Sequence, residues 1–340
     1  MKAWRVSENG EPRDVMRLEE VPDPRPGAGQ VLLRVLATNV NFPDALLCRG
    51  QYQVRPPFPF TPGVEVCGEV VELGEGADAG RVAVGDRVLA QPGLPDGGFA
   101  EYVVADAAAV RTAPAALDDA EAAALHIGYQ TGWFGLHRRA HLQPGETLLV
   151  HAAAGGVGSA AVQLGKAAGA RVVGVVGGKE KAEVAAALGC DLVLDRRSDD
   201  IVAAVKEATG GRGADVVYDP VGGDAYAKSV KCIAFEGRIV VVGFASGAIP
   251  TAALNHALVK NYAVLGLHWG LYNTKDPAAV EACHRELTDL AAQGVVRPLI
   301  GGRVPLEQAA DAVQRVFDGT TTGRIAVLPA LTPGDEKGAA

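Results

Sequence analysis

From Glu146 onward the chain alternates β-branched apolar runs with helical stretches, and nothing else in the sequence constrains the fold as strongly. ETLLVH (146–151) reads as a strand followed by a helix to about Ala168. RVVGVV (171–176) is a strand, KEKAEVAAAL (179–188) a helix and DLVL (191–194) a strand. Helix DDIVAAVKEA (199–208), strand ADVVYD (214–219), a helix to about Cys232 and strand GRIVVVG (237–243) continue the series. NYAVLGL (261–267) reads as an edge strand. Helical segments of about ten residues between strands imply parallel pairing through right-handed crossovers. The expected fold is α/β, with a Rossmann doubly wound parallel sheet.

Upstream the texture differs. VLLRVLATNV (31–40), EVCGEVVELG (65–74), GDRVLA (85–90) and FAEYVVA (99–105) are β-rich runs bounded by turn residues. VRPPFPFTPGVE (54–65) carries four prolines and reads as an irregular loop. LDDAEAAAL (117–125) opens a helix with an acidic first turn, favourable to the helix dipole. Helices near 277–293 and 306–318 precede a last strand, RIAVLP (324–329). A chain of 340 residues is long for one core, so two domains are expected. The layout puts a dinucleotide domain, 126–267, between two parts of a β-rich substrate domain, 1–125 and 268–340. The tail TPGDEKGAA reads as disordered.

The net charge of −8, with no basic run longer than two residues, argues against a nucleic-acid partner. No window of about 18 continuous apolar residues occurs, so no membrane span is expected. The start MKAWRVSENG has no hydrophobic block of the signal-peptide kind. Five scattered cysteines without metal-like spacing suit reduced thiols, hence a cytoplasmic location.

After strand 146–151 come Ala153-Ala154-Gly155-Gly156-Val157-Gly158 and a helix, the context that a dinucleotide loop requires. Gly156 would let the backbone approach a pyrophosphate, and Gly158 would let the helix pack close to the strand. Helix amides would donate to phosphate oxygens. Ala153 replaces the first glycine of the usual pattern. NAD-preferring sites carry a carboxylate about 20 residues past the loop, on the ribose hydroxyls. Here that place is Gly177-Gly178, followed by Lys179 and Lys181, and the next strand ends in Asp195-Arg196-Arg197. An aspartate would repel a 2′-phosphate and a lysine would welcome it. The cofactor expected is NADPH.

Several stretches together resemble the zinc-independent quinone oxidoreductases, the zeta-crystallin-like group of the medium-chain dehydrogenase/reductase superfamily. They are NVNFPDALLCRGQY (39–52), TPGVEVCGEVVELG (61–74), VGDRVLA (84–90), HAAAGGVGSAAVQLGKAAGA (151–170), DVVYDPVGG (215–223) and GRIVVVGFASG (237–247). The resemblance covers nearly the whole chain and implies a GroES-like β-rich catalytic domain beside the Rossmann domain. Zinc-bearing relatives carry a histidine where this chain has Val64 and a cysteine where it has Asn41. Gly85-Asp86-Arg87-Val88 runs on without the four-cysteine lobe of those relatives. Zinc needs thiolate or imidazole ligands in tetrahedral array, so no metal is expected.

The resemblance implies further roles. Asn41 and Thr131 would sit near the nicotinamide and its ribose, and Ala154, Gly155, Gly156 and Val157 near the pyrophosphate. Gly177 and Lys181 match contacts to the 2′-phosphate, and Arg196 falls where relatives often carry a tyrosine beside it. Gly243, Phe244 and Ser246 follow the fifth strand at its C-terminal end, where such sheets hold ligands. Tyr52 matches a substrate-cleft tyrosine, which would hydrogen-bond the acceptor, deliver a proton or simply pack in its loop. Asp44 would orient Asn41 or Tyr52, and His268-Trp269 would form a cleft wall. The resemblance also implies a homodimer, joined through the edge run 261–267.

Three functions follow. The first is NADPH-dependent hydride transfer to a small electron acceptor, a quinone or enone. The second is reduction of an enoyl thioester such as an enoyl-CoA. The third is a non-catalytic NADPH-binding protein.

Overall fold

The computed structural model describes residues 1–77 and 81–332, and the stretch read as a disordered tail lies, from residue 333 on, outside the described residues. The chain divides into two compact units, Ile127–Val296 and Met1–His126 with the chain from Arg297 onward. The sequence places the return to the first unit at residue 268, whereas the structure places it at Arg297. Helix Pro277–Ala292 accounts for the difference, because it packs on helix Gln130–Trp133 of the second unit.

Among the described residues the second unit holds a six-stranded sheet. Its order is Leu192–Asp195, Arg171–Val176, Thr147–His151, Ala214–Asp219, Ile233–Val241 and Ala263–Gly266, and every neighbouring pair is parallel. The chain order reverses between Thr147–His151 and Ala214–Asp219, the switch point that opens a crevice at the strands' C-terminal ends. Both central strands are buried throughout, as parallel strands covered by helices on two faces must be. Helix Gly156–Ala167 runs between the first two strands of the sheet in chain order, and helix Gly223–Cys232 follows Ala214–Asp219.

In the first unit Gln30–Asn39 is the hub. It pairs antiparallel with Val66–Leu73, with Tyr102–Asp106 along its first half and with Arg324–Leu328 at its last residues, Thr38 and Asn39. Ile300–Pro305 extends this sheet on one side, and Arg87–Ala90 and Arg111–Thr112 extend it on the other. The pairing with Arg324–Leu328 carries Arg324 to the chain just past Asn39. There helix Phe42–Cys48 begins, with Pro43 in its first turn.

Patterning predicts a helix over 117–125, and the structure carries it further. After Asp119–Ala124 the chain continues helically through Arg139, with π-turns at Leu125–Tyr129 and Phe134–Arg139. Wide turns of this kind occur frequently at functional sites and leave no periodicity signal. None of the described helices is long and apolar enough to cross a membrane.

Leu149, fully buried in the second unit's core with Val173, Val175, Val217 and Ile239, sits on the central strand. Leu149→Ala is expected to lower stability by about 2–5 kcal/mol, read by denaturant unfolding.

Candidate active site

The glycine turn is built by close approach. Ala152 takes a left-handed φ of 52° and its carbonyl accepts from the Gly155 amide at 2.8 Å. A Cβ on Gly158 would lie 2.1 Å from the Ala152 carbonyl oxygen, so only glycine lets the helix start this close to the strand. The missing first glycine also has a physical account. Ala153 is fully buried, its amide bonded to Val175 O at 3.1 Å. On the neighbouring strand a Cβ at Gly174 would come 3.0 Å from the Ala153 methyl and 2.6 Å from Cys190 Sγ. The room absent at Ala153 is supplied across the sheet. Ala154 is buried beneath the turn, Gly155 stands at the helix cap, and Gly156 and Val157 open the helix. Thr131 is buried on the helix packed alongside, where a Cβ on Gly132 would meet Leu164 at 2.8 Å.

Beyond the second strand, positive charge gathers over the two glycines. A Cβ on Gly177 would lie 2.9 Å from Arg196 Nε, and one on Gly178 would lie 2.9 Å from Arg197 Nη1. Partial burial, and then the neighbouring Arg196 and Arg197, push the Lys181 ammonium below its ordinary pKa. The nearby Asp195 carboxylate is turned to the backbone, accepting from Gly178 N at 3.1 Å and Arg197 N at 3.0 Å. Thus three cationic side chains converge where an NAD site would carry a carboxylate. The sequence offers the strand end Asp195-Arg196-Arg197 as a source of a guanidinium, and the structure brings both arginines over the glycines.

The fourth and fifth strands contribute two interlocked loops. Asp219 Oδ1 accepts from Val221 N at 2.8 Å and Gly222 N at 2.9 Å, shaping the first. The second clasps it, with Ala245 N bonded to Pro220 O and Ser246 N to Val221 O, both at 3.0 Å. Gly243 approaches Pro220, while Phe244 and Ser246 flank Gly222 and Gly223 so closely that a Cβ on either glycine would clash.

Beneath this end lies a group that no motif indicated. His151, the last residue of its strand, is buried with Nε2 2.8 Å from Ser229 Oγ. The Ser229 hydroxyl donates to Ala225 O at 2.8 Å, which leaves the imidazole as the donor to Ser229. Burial, only partly offset by Asp219, holds the His151 pKa below its usual value, so the ring is neutral.

The first unit carries the remaining predicted residues. Asn41 precedes helix Phe42–Cys48, and its backbone amide donates to Asp44 Oδ2 at 2.7 Å. Asp44 Oδ1 accepts from Gly63 N at 2.9 Å. Burial raises the Asp44 carboxyl to about 7 despite both amide bonds, with Glu65 adding to the rise and Arg324 opposing it. Tyr52 packs against the unit's core, and burial followed by Asp44 raises its phenol pKa, so it keeps its proton at neutral pH. Asn41 and Tyr52 thus share Asp44 as a neighbour. They lie on a different unit from the glycine turn and the cationic cluster. His268 is exposed and Trp269 buried.

Residues 27–115 match the alcohol dehydrogenase GroES-like domain and 156–285 the zinc-binding dehydrogenase family. The chain is 39% identical to the quinone oxidoreductase-like protein 2 homolog of Nematostella vectensis, over 88% of this chain and 82% of that protein. The chain belongs to the quinone oxidoreductase family of the medium-chain dehydrogenase/reductase superfamily. Two solved structures of this fold are complexes with NADPH. The Escherichia coli quinone oxidoreductase has 30% identity and a TM-score of 0.89, covering 97% of this chain and all (100%) of that one. A mycobacterial protein has 32% identity and a TM-score of 0.90, with the same coverage of both chains. Although one matched family is described as zinc-binding, Asn41 and Val64 offer no thiolate or imidazole. Among the described residues no cluster of His, Cys, Asp or Glu is arranged to hold a metal.

Gly158→Ala is expected to disrupt the turn, lowering stability by about 1–3 kcal/mol and weakening dinucleotide binding at least about tenfold. Thermal denaturation and nucleotide titration of the same preparation check both effects.

Proposed function

We propose that this family member is an NADPH-dependent reductase that delivers hydride, without zinc, to a quinone or similar conjugated carbonyl acceptor. The convergence of Lys181, Arg196 and Arg197 over Gly177 and Gly178 carries the reading. A 2′-phosphate brings up to two negative charges and several acceptor oxygens, and this cluster offers three charge-assisted donors, while the one carboxylate beside them, Asp195, is held by the Gly178 and Arg197 amides. The glycine side of the strand leaves room for the ribose. The turn Ala154–Val157 offers a pyrophosphate the Gly156 and Val157 amides at a helix N-terminus, the Gly155 amide being bonded to Ala152 O. Thr131, Gly243, Phe244 and Ser246 complete the cofactor set proposed for the second unit, and Asn41 is proposed separately as a cofactor contact.

The bound cofactor supplies the hydride, and the protein supplies orientation and electrostatics. Asn41 and Val64 supply neither thiolate nor imidazole for a zinc that would polarise an alcohol or ketone oxygen, so an acceptor already electron-poor by conjugation fits this reading best. Tyr52 holds its proton at neutral pH and is the group we assign to hydrogen-bond the acceptor oxygen. We also propose a homodimer. Leu254, Leu258 and Val259 are each more than three-quarters exposed, and they precede the edge strand Ala263–Gly266. The free cysteines, four of them buried, accord with a reducing compartment such as the cytoplasm.

NADPH oxidation should proceed with 1,4-benzoquinone or an enone faster than with crotonyl-CoA. Turnover of crotonyl-CoA alone would point to an enoyl thioester reductase. NADPH binding without turnover of any acceptor would make the protein a non-catalytic nucleotide binder. Lys181→Ala and Arg197→Ala should each raise the NADPH KM about tenfold, with less than about twofold change for NADH. Equal effects on both cofactors would remove the phosphate assignment.

A further inference from the structure

Among the described residues of the first unit, one side chain stands between opposite buried charges. The Asn41 carboxamide oxygen accepts from Arg324 Nη1 at 2.5 Å. Its Nδ2 donates to Glu65 Oε1 at 2.8 Å and to the Asn39 carbonyl at 3.1 Å. Asn41 is 2% exposed, Glu65 fully buried and Arg324 6% exposed, so neither charge is screened by bulk water. An asparagine amide has two N–H bonds, and both are engaged here. Rotating the amide by half a turn would set its NH2 against the guanidinium and its oxygen against the carboxylate. That rotamer trades two charge-assisted hydrogen bonds for two repulsions in a low-dielectric setting.

We propose that Arg324 and Glu65 are positioning residues that lock the polarity of Asn41, so that a ligand meets it only as a hydrogen-bond acceptor. Its partner is then a hydroxyl or amide N–H, not the oxygen of a quinone or enone. Given the NADPH reading, on which this part rests, the donor belongs to the cofactor, and Asn41 serves cofactor placement rather than substrate polarisation. The lock also accounts for three polar residues buried side by side in a chain that places no metal ligand at position 41 or 64. The guanidinium offsets the Glu65 charge through the amide that joins them.

The test is a charge-transposition cycle at pH 8, read by NADPH affinity and by thermal denaturation. Adenosine 2′,5′-bisphosphate, which has no nicotinamide ribose, serves as a control ligand. Asn41→Asp keeps an acceptor toward Arg324 but sets a second carboxylate against Glu65. It should weaken NADPH at least about tenfold and lower the Tm by several degrees, leaving the bisphosphate affinity unchanged. Adding Glu65→Gln returns the local charge to its original sum and gives the introduced carboxylate an amide donor. The double variant should recover NADPH affinity to within about threefold of the parent, and most of the Tm. A double variant no better than Asn41→Asp, or a single variant indistinguishable from the parent, would overturn the lock. Recovery of Tm without recovery of NADPH affinity would overturn the acceptor assignment. If the parent binds neither nucleotide, the cofactor reading fails, and the Tm cycle still decides whether the lock exists.

Discussion

The parallel pairing of Thr147–His151 with both Arg171–Val176 and Ala214–Asp219 is the constraint on which the nucleotide end of the molecule depends. Its register bonds Ala153 N to Val175 O and so fixes where the chain leaves the sheet. The left-handed Ala152 then turns the chain, and the glycine at 158 lets the helix rise against that turn. Gly174, paired with Val150 in that register, leaves open the space against the Ala153 methyl, which lets an alanine occupy the place of the usual first glycine. His151 and Asp219 terminate the two central strands. Each satisfies buried polar atoms behind the crevice, so the loops that face a ligand rest on groups with filled hydrogen-bond needs.

The two units use charge in opposite ways. Around Gly177 three cationic side chains gather beside Asp195, and partial burial together with their mutual repulsion lowers the Lys181 pKa. Around Asn41 unlike charges are buried and bridged by an amide, an arrangement that gives orientation. In the proposed function one cluster selects a ligand by its charge, the other by the direction of its hydrogen bond. That division suits a reaction in which the cofactor carries the chemistry and the protein sets geometry.

Much of this was legible in the sequence because it is local. Strands 171–176 and 214–219 appear at the residues expected, since their β-branched runs are bounded by glycine and charge. Helix Pro277–Ala292 was equally legible as a helix, but not as part of the second unit, because its packing on Gln130–Trp133 joins segments far apart in the chain. The π-turns within 125–139 escaped pattern reading because a wide turn shifts the face of a helix without changing residue type. Arg197 could have been singled out from its place beside Arg196. Arg324 could not, since 283 residues separate it from Asn41.

By itself the sequence determined the alternation that makes a parallel sheet, the glycine turn, the absence of thiolate or imidazole at positions 41 and 64, and the lysine that argues for a 2′-phosphate. These follow from residue type and short spacing, which act along the chain. Only the tertiary structure decided that Gly174 makes room for Ala153, that Arg196 and Arg197 fold back over Gly177 and Gly178, and that Arg324 and Glu65 hold Asn41 between them. Each of these depends on strand register and packing between distant segments, and register exists only once the sheets have formed.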